Sequence, residues 1–341
     1  TVAGTVVKSE TELTTALDDE TVSNILIGAD FSITNSIRID KTVNIYGNSY
    51  TISASGSQPW TGSQGTDKIL NIVANSYNVG LYDIVVDNRN ASYGINVYGG
   101  TVVVDNVTSI NSAGAGLIIG GNANVTVTES SMQGAWGGIN VDGGTVKIDS
   151  MDNLGSVYSE NYTDGTTITI ADGSVSPVKM TGTWKANEDS STSTFGGFYE
   201  SIDDAVAPYN DSRIVKDLNQ GDLPTITVND NTILTTDFNM SAGTLTVANN
   251  ATLIVNENVT LDVSKAKAIT TGKFIASAGS EIAFAEGTTI KATAAPGANI
   301  TVGDKVAETT NTATASTIEE ALELGGYGVP VIITADDSLE E

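Results

Sequence analysis

Three copies of one short phrase dominate this chain. Gly94-Ile95-Asn96-Val97-Tyr98-Gly99-Gly100 returns as Gly116-Leu117-Ile118-Ile119-Gly120-Gly121 and again as Gly138-Ile139-Asn140-Val141-Asp142-Gly143-Gly144. The leading glycines Gly94, Gly116 and Gly138 are spaced by about 22 residues, inside the roughly 20–29 residue period of stacked strand solenoids. Within each copy the apolar residues alternate: Ile95 and Val97, Leu117 and Ile119, Ile139 and Val141. A second alternating run follows each one, at Val102 and Val104, Val125 and Val127, Val146 and Ile148. Period-2 alternation belongs to strands and excludes a helical repeat. A single coil of this kind cannot bury its inward face alone, so Ile95, Leu117 and Ile139 are predicted to stack on one another in successive coils.

The composition narrows the chemistry. The 341 residues include no cysteine and no histidine, which removes disulfides, thiolate metal sites, Cys nucleophiles and Ser-His-Asp catalysis. Lys and Arg number 15 against 41 Asp and Glu, for a net charge of −26. Such a charge repels nucleic acid and anionic membrane, and the basic residues are scattered rather than clustered. No apolar run reaches the ~18 residues of a membrane span, so direct membrane insertion is not expected. Aromatics are only 6%, whereas small and β-branched residues abound, which suits narrow stacked strands.

Short helices punctuate the strands. Residues 9–18 read as a helix capped by Ser9, with Glu12 in capping-box spacing and Leu13, Ala16 and Leu17 as its apolar stripe. Such a helix covers the open end of a solenoid. The same stripe recurs at Ile202, Ala205 and Val206 after Ser201, and at Ile318, Ala321 and Leu322 after Thr317. Between the second and third starts the pattern tightens to an eight-residue beat: Leu245 and Val247, Leu253 and Val255, Leu261 and Val263. That beat predicts a coil with three short sides. Residues 53–68, with Pro59 and Trp60, read as a lateral loop, and 187–194 as a loop or junction. The expected division is a first segment over 1–195, a second over 196–315, and a further module or terminal cap over 316–341. Further modules of the same polypeptide are expected.

Candidate functional residues fall into three groups. Asn106 and Asn124, with Asn111 and Gln133, are placed at turns, where stacked amides align coils. The acidic pairs Asp18-Asp19, Asp203-Asp204 and Asp336-Asp337 are assigned to solvated surface. Trp60, Trp136 and Trp184, with Tyr50, Tyr77, Tyr82, Tyr93 and Tyr98, are candidates for sugar stacking, and Trp60, Trp136 and Tyr98 are the carbohydrate-binding candidates, because a flat aromatic face can meet the apolar face of a pyranose ring.

The stretch Ile37-Arg38-Ile39-Asp40-Lys41-Thr42-Val43-Asn44-Ile45-Tyr46-Gly47 and the strands around it resemble the right-handed parallel β-helix superfamily of pectate lyases. The resemblance covers residues 5–160. It implies an all-β, right-handed parallel β-helix solenoid with short capping and junction α-helices. It also implies, as one alternative, a calcium-dependent polysaccharide lyase. Lyases of that superfamily hold Ca2+ on carboxylates and use an arginine as base, and the positions that could match are Arg89 with Asp83, Asp87 and Asp105. The hydrolase branch pairs aspartates with a histidine, which this chain lacks. The phrases at Gly243-Thr244-Leu245-Thr246-Val247 and Asn250-Ala251-Thr252-Leu253-Ile254-Val255 loosely resemble large prokaryotic cell-surface proteins such as adhesins and surface-layer proteins.

These readings favour a non-enzymatic structural or adhesive protein, secreted or held at a prokaryotic cell surface. It is read as a rigid β-helical rod within a larger modular protein. A carbohydrate-binding module on the solenoid side is the first alternative. Polysaccharide or other cell-surface components are the expected partners. No cofactor is required, and Ca2+ on turn carboxylates and amides is compatible with the sequence.

Overall fold

The computed structural model describes residues 2–55, 68–90, 93–160, 166–171, 176–185, 192–216, 223–307, 309–310, 313–315, 322, 326 and 331–333. The chain is a parallel β-solenoid divided into two compact units. Thr1–Val175 with Ser193–Gly197 make the first, and Ser176–Thr192 with Phe198–Glu341 the second. The segment Ser176–Thr192 groups with the second unit because Val178–Lys185 runs antiparallel to Thr225–Val228. Of the stretch expected to be a loop or junction, Thr192–Thr194 already lies in the strand Thr192–Tyr199, and 186–191 lie outside the described residues.

In the first unit each coil has three faces. On the first face Ile25, Ile45, Leu81, Val104, Val127 and Ile148 follow one another in parallel register. On the second, Phe31, Ile52, Val86, Ser109 and Met132 do so. On the third, Ile37, Leu70, Ile95, Leu117, Ile139 and Val157 do so. Nearly all of these side chains are fully buried and form one continuous cluster. The long strands Leu70–Tyr82 and Ile95–Asp105 carry the third face round the corner into the first.

The repeat glycines are explained by how tightly the coils approach. A Cβ at Gly138 would overlap the Leu154 carbonyl oxygen, and one at Gly94, where φ is +75°, would overlap the Gly116 carbonyl oxygen. Only a residue without a side chain permits that approach. The other bends use left-handed residues, including Asp83, Asn106 and Glu129 at one corner and Arg89, Asn90 and Asn111 at another. Asn tolerates that conformation through its short polar side chain.

Helix α1 (Glu10–Asp18) covers the first coil. Ser9 Oγ accepts from Glu12 N at 3.3 Å, and the Glu12 carboxylate accepts from Lys8 N at 2.6 Å. Leu13, Ala16 and Leu17 are buried against the core. Helix α2 (Ile202–Tyr209) repeats the device in the second unit, with Ser201 Oγ accepting from Asp204 N at 3.1 Å and Ile202, Ala205, Val206 and Tyr209 buried.

The second unit also has three parallel ladders. Ile226, Leu245 and Ala268 lie in register on one, Leu253, Phe274 and Ala292 on another, and Leu261, Ile282 and Ile300 on the third. The eight-residue beat is therefore one strand per side. The helix expected at Thr317 lies outside the described residues apart from Leu322, but the strands that flank it, Ala313–Ala315 and Val331–Ile333, pair in parallel. Thr5–Val7 and Asn24–Ile27 pair in the same way on either side of α1.

Candidate functional site

The outward side of the third face of the first unit carries the aromatic candidates. Because Ile139 and Val141 point into the core, Trp136, Asn140 and Asp142 alternate outward along and just before the strand Gly137–Asp142. Trp136 is 56% exposed. Its ring meets that of Tyr93 with centroids 5.2 Å apart, tilted by 32°. The two residues belong to alternate coils and meet across the one between them. That contact depends on Gly114: a Cβ there would stand 2.5 Å from Tyr93 Cδ1 and 3.2 Å from Trp136 Cε3. Lys68 Nζ lies 5.4 Å from the centre of the Tyr93 ring, a cation–π spacing.

Tyr98, 55% exposed, stands at the other margin of this face. In register it is followed by Gly120 and then Asp142. Its ring lies over the glycine pair of the next coil, since a Cβ on Gly121 would meet three of its ring carbons at 3.1–3.3 Å. Between the margins run Asn71, Asn96, Ile118, Asn140 and Tyr158. Asn96 Nδ2 donates to Asn71 Oδ1 at 2.8 Å. Asn140 is only 8% exposed, and its Oδ1 is buried and accepts no hydrogen bond. The outer edge of Asp142 reaches solvent, yet withdrawal of its carboxyl from water and then repulsion from Glu160 push its pKa up to about 6. Burial, then Glu160 and Asp142, push the Tyr158 phenol strongly upward.

The residues matched to a lyase centre stand elsewhere. Asp87 ends the strand Val85–Asp87 and Asp83 sits in the left-handed bend before it, about 13 Å of chain apart at strand rise. Asp83 Oδ1 accepts from Ser49 Oγ at 2.9 Å and from Asn106 Nδ2 at 3.0 Å. Asp87 Oδ1 accepts from Asn111 Nδ2 at 2.9 Å and Arg89 N at 3.1 Å, and Arg89 Nε stands 3.8 Å from Asp87 Oδ2. Asp105 lies beside Tyr82 in register and helps to raise its phenol, after burial and Tyr46. Arg89 and Asp87 thus share one corner and Asp83 and Asp105 another. Among the described residues no cluster of three or more Asp or Glu is arranged to hold a metal ion.

Other placements refine the sequence reading. Trp60 lies outside the described residues, as does the side chain of Trp184. Asn124 and Gln133 are in strands rather than turns. Asn106 and Asn111 do link coils, but they donate to carboxylates. Asp203 is not simply solvated: its carboxylate accepts from the backbone N–H and hydroxyl of both Thr235 and Thr236 at 2.9–3.2 Å. Residue type marks Tyr82, Tyr93 and Trp136 as ring faces, but not the Tyr93–Trp136 contact, the Tyr46–Tyr82 stack at 4.9 Å or the Asp142–Tyr158–Glu160 cluster. The Tyr93–Trp136 contact was accessible through the period, because positions 114 and 136 are equivalent and one of them is glycine.

Coils stacked in parallel register and closed by glycine bends define a parallel β-solenoid. Residues 4–134 match the model of a family described as a putative pectate lyase-like adhesive domain. This match supports a cell-surface adhesive role. No curated protein matches the chain. Among solved structures, an L. reuteri 53608 SRRP is 13% identical over 98% of this chain and 95% of that one, at a TM-score of 0.25. Among the described residues no helix is long and apolar enough to cross a membrane.

Proposed function

We propose that this chain is a non-catalytic adhesive solenoid, exported to a cell surface as part of a modular protein, and that it holds polysaccharide on the third face of its first unit. The observation that carries the reading is the exposed Trp136, paired with Tyr93 over Gly114 at one margin of a strip whose other margin is the exposed Tyr98. Aromatic rings bury the apolar face of a sugar while its hydroxyls meet flanking acceptors. A rigid row of coils holds such rings at fixed spacing without an ordering cost on binding. The matched adhesive family supports the cellular role. The dispersal of Asp83, Asp87, Arg89 and Asp105 over two corners supports holding over cutting. The parallel pair Ala313–Ala315 and Val331–Ile333, spaced like the opening of the first unit, supports modules in series.

The test is a panel of soluble and insoluble glycans, with and without calcium, assayed for retention and for unsaturated and reducing-end products between pH 5 and 10. Retention without turnover is expected on at least one glycan. Turnover that disappears in Arg89→Ala would replace this reading with a lyase.

A further inference from the structure

The rings at the two margins of the third face stand over one and the same coil. Tyr93 and Trp136 meet over Gly114. The Tyr98 ring lies over Gly120 and Gly121, since a Cβ on Gly120 would stand 3.3 Å from Tyr98 Cδ2. Between these glycines runs the strand Ala115–Gly120. Its residues Ala115, Leu117 and Ile119 are fully buried, so Ile118 points outward. In register, Asn96 stands on one side of Ile118 and Asn140 on the other. The strand thus has an outer surface bare of large side chains except Ile118, with exposed aromatic residues, Trp136 and Tyr98, at its two ends. No charged residue occurs at 117–119 or at the positions in register with them, 95–97 and 139–141. Charge enters at the ends, with Lys68 by Tyr93 and Asp142 beside Gly120.

We infer that this face takes a linear, neutral, β-1,4-linked glycan lying along the strand Ala115–Gly120, with one ring of the chain on Trp136 and another on Tyr98. The inference rests on the glycan-binding reading and deepens it by naming the class: the interior of an extended neutral chain, not a terminal sugar. A β-1,4-linked glucose chain carries its hydroxyls equatorially, so both faces of each ring are C–H surfaces that suit aromatic side chains. Its hydroxyls donate and accept, as do the amides of Asn96 and Asn140. The span from Gly114 to Gly120 is about 20 Å at strand rise, which about four pyranose rings of roughly 5 Å each would cover. Two stacking contacts on one chain reinforce each other, because the second forms within a complex already made. A polyuronate, by contrast, brings carboxylates to a protein of net charge −26.

The test is calorimetry at neutral pH with β-1,4-linked glucose oligosaccharides of two to six rings, on wild type, Trp136→Ala, Tyr98→Ala and Tyr98→Phe. Wild-type affinity is expected to rise about tenfold between two and four rings and to level off beyond that. Each alanine variant should lose the rise, binding the four-ring chain about as weakly as wild type binds the two-ring one. Tyr98→Phe, which keeps the ring, should keep the rise. Both alanine variants should melt as wild type does, since Trp136 and Tyr98 are exposed. Affinity that does not change with chain length, or a Tyr98→Ala variant that binds four rings as wild type does, would overturn the inference, because the glycan would then be held at one margin only. A four-ring α-1,4-linked galacturonate that binds as tightly as the glucose chain would overturn the neutral class. If no glucose chain binds while another glycan of the wider panel is retained, the inference falls and the glycan-binding reading stands. No binding anywhere in the panel would remove both.

Discussion

At the residue scale, much depends on side chains that are missing. Gly114 lets two aromatic rings from alternate coils touch. In Gly114→Ala the added methyl, 2.5 Å from Tyr93 Cδ1, forces the rings apart. The expected outcome is a red-shifted Trp136 emission and weaker glycan retention, with the melting temperature nearly unchanged. Unchanged emission would show that the rings do not depend on Gly114. Asp142 provides a test of a different kind. Its carboxyl is held up at about 6 in the folded chain against an ordinary 3.8. The folded state then binds the proton more tightly than the unfolded one, so stability falls as pH rises from about 4 to about 6 and is level above that. Asp142→Asn should therefore melt higher than wild type at pH 8 and equally at pH 4. The gain should be no more than about 1 kcal/mol, because the carboxylate is partly solvated. An equal difference at both pH values would mean that charge is not its cause.

At the element scale, the two helices share a second device beyond their serine caps. Glu10, at the start of α1, accepts from the backbone N–H groups of Thr34 and Asn35 and from both their side chains. Asp203, in the first turn of α2, does the same with Thr235 and Thr236. Each carboxylate fastens its helix to a bend of the coil beneath. Burial pushes the Glu10 carboxyl upward, but the four hydrogen bonds outweigh it and hold the group below its ordinary 4.5. A lowered carboxyl stabilises the fold above its unfolded value, and that contribution is lost as pH falls. Glu10→Gln should thus destabilise the first unit by about 1–2 kcal/mol at neutral pH. The gap should close in denaturant titrations below about pH 4. A gap that persists in acid would mean that packing, not charge, is lost. The helices and their stripes were legible in the sequence because capping and 3.6-residue periodicity are local. The acid clamps were not, since Glu10 and Thr34 meet only through the winding of the coil. The same reason hid the Asp142–Tyr158–Glu160 cluster, whereas Trp136 and Tyr98 stood out by residue type alone.

At the scale of the whole molecule, stability comes from stacking rather than from any one coil. Leu117 lies between Ile95 and Ile139 and is fully buried. Leu117→Asp places an unpaired charge between two coils and should cost several kcal/mol. The first unit is expected to lose its cooperative transition, and a wild-type melt would refute the stacking register. Leu117→Ala should cost about 2–5 kcal/mol. The rigidity that stacking confers is what keeps Tyr93, Trp136 and Tyr98 at fixed separations on one outer face. The central claim, that this face holds polysaccharide, is tested most directly by comparing glycan binding of wild type and Trp136→Ala across one panel. Trp136 is exposed and outside the core, so the variant should melt as wild type does. The account predicts binding by wild type to at least one glycan and a drop of about tenfold or more in Trp136→Ala. Equal binding by the two proteins, or no binding by wild type, would contradict it.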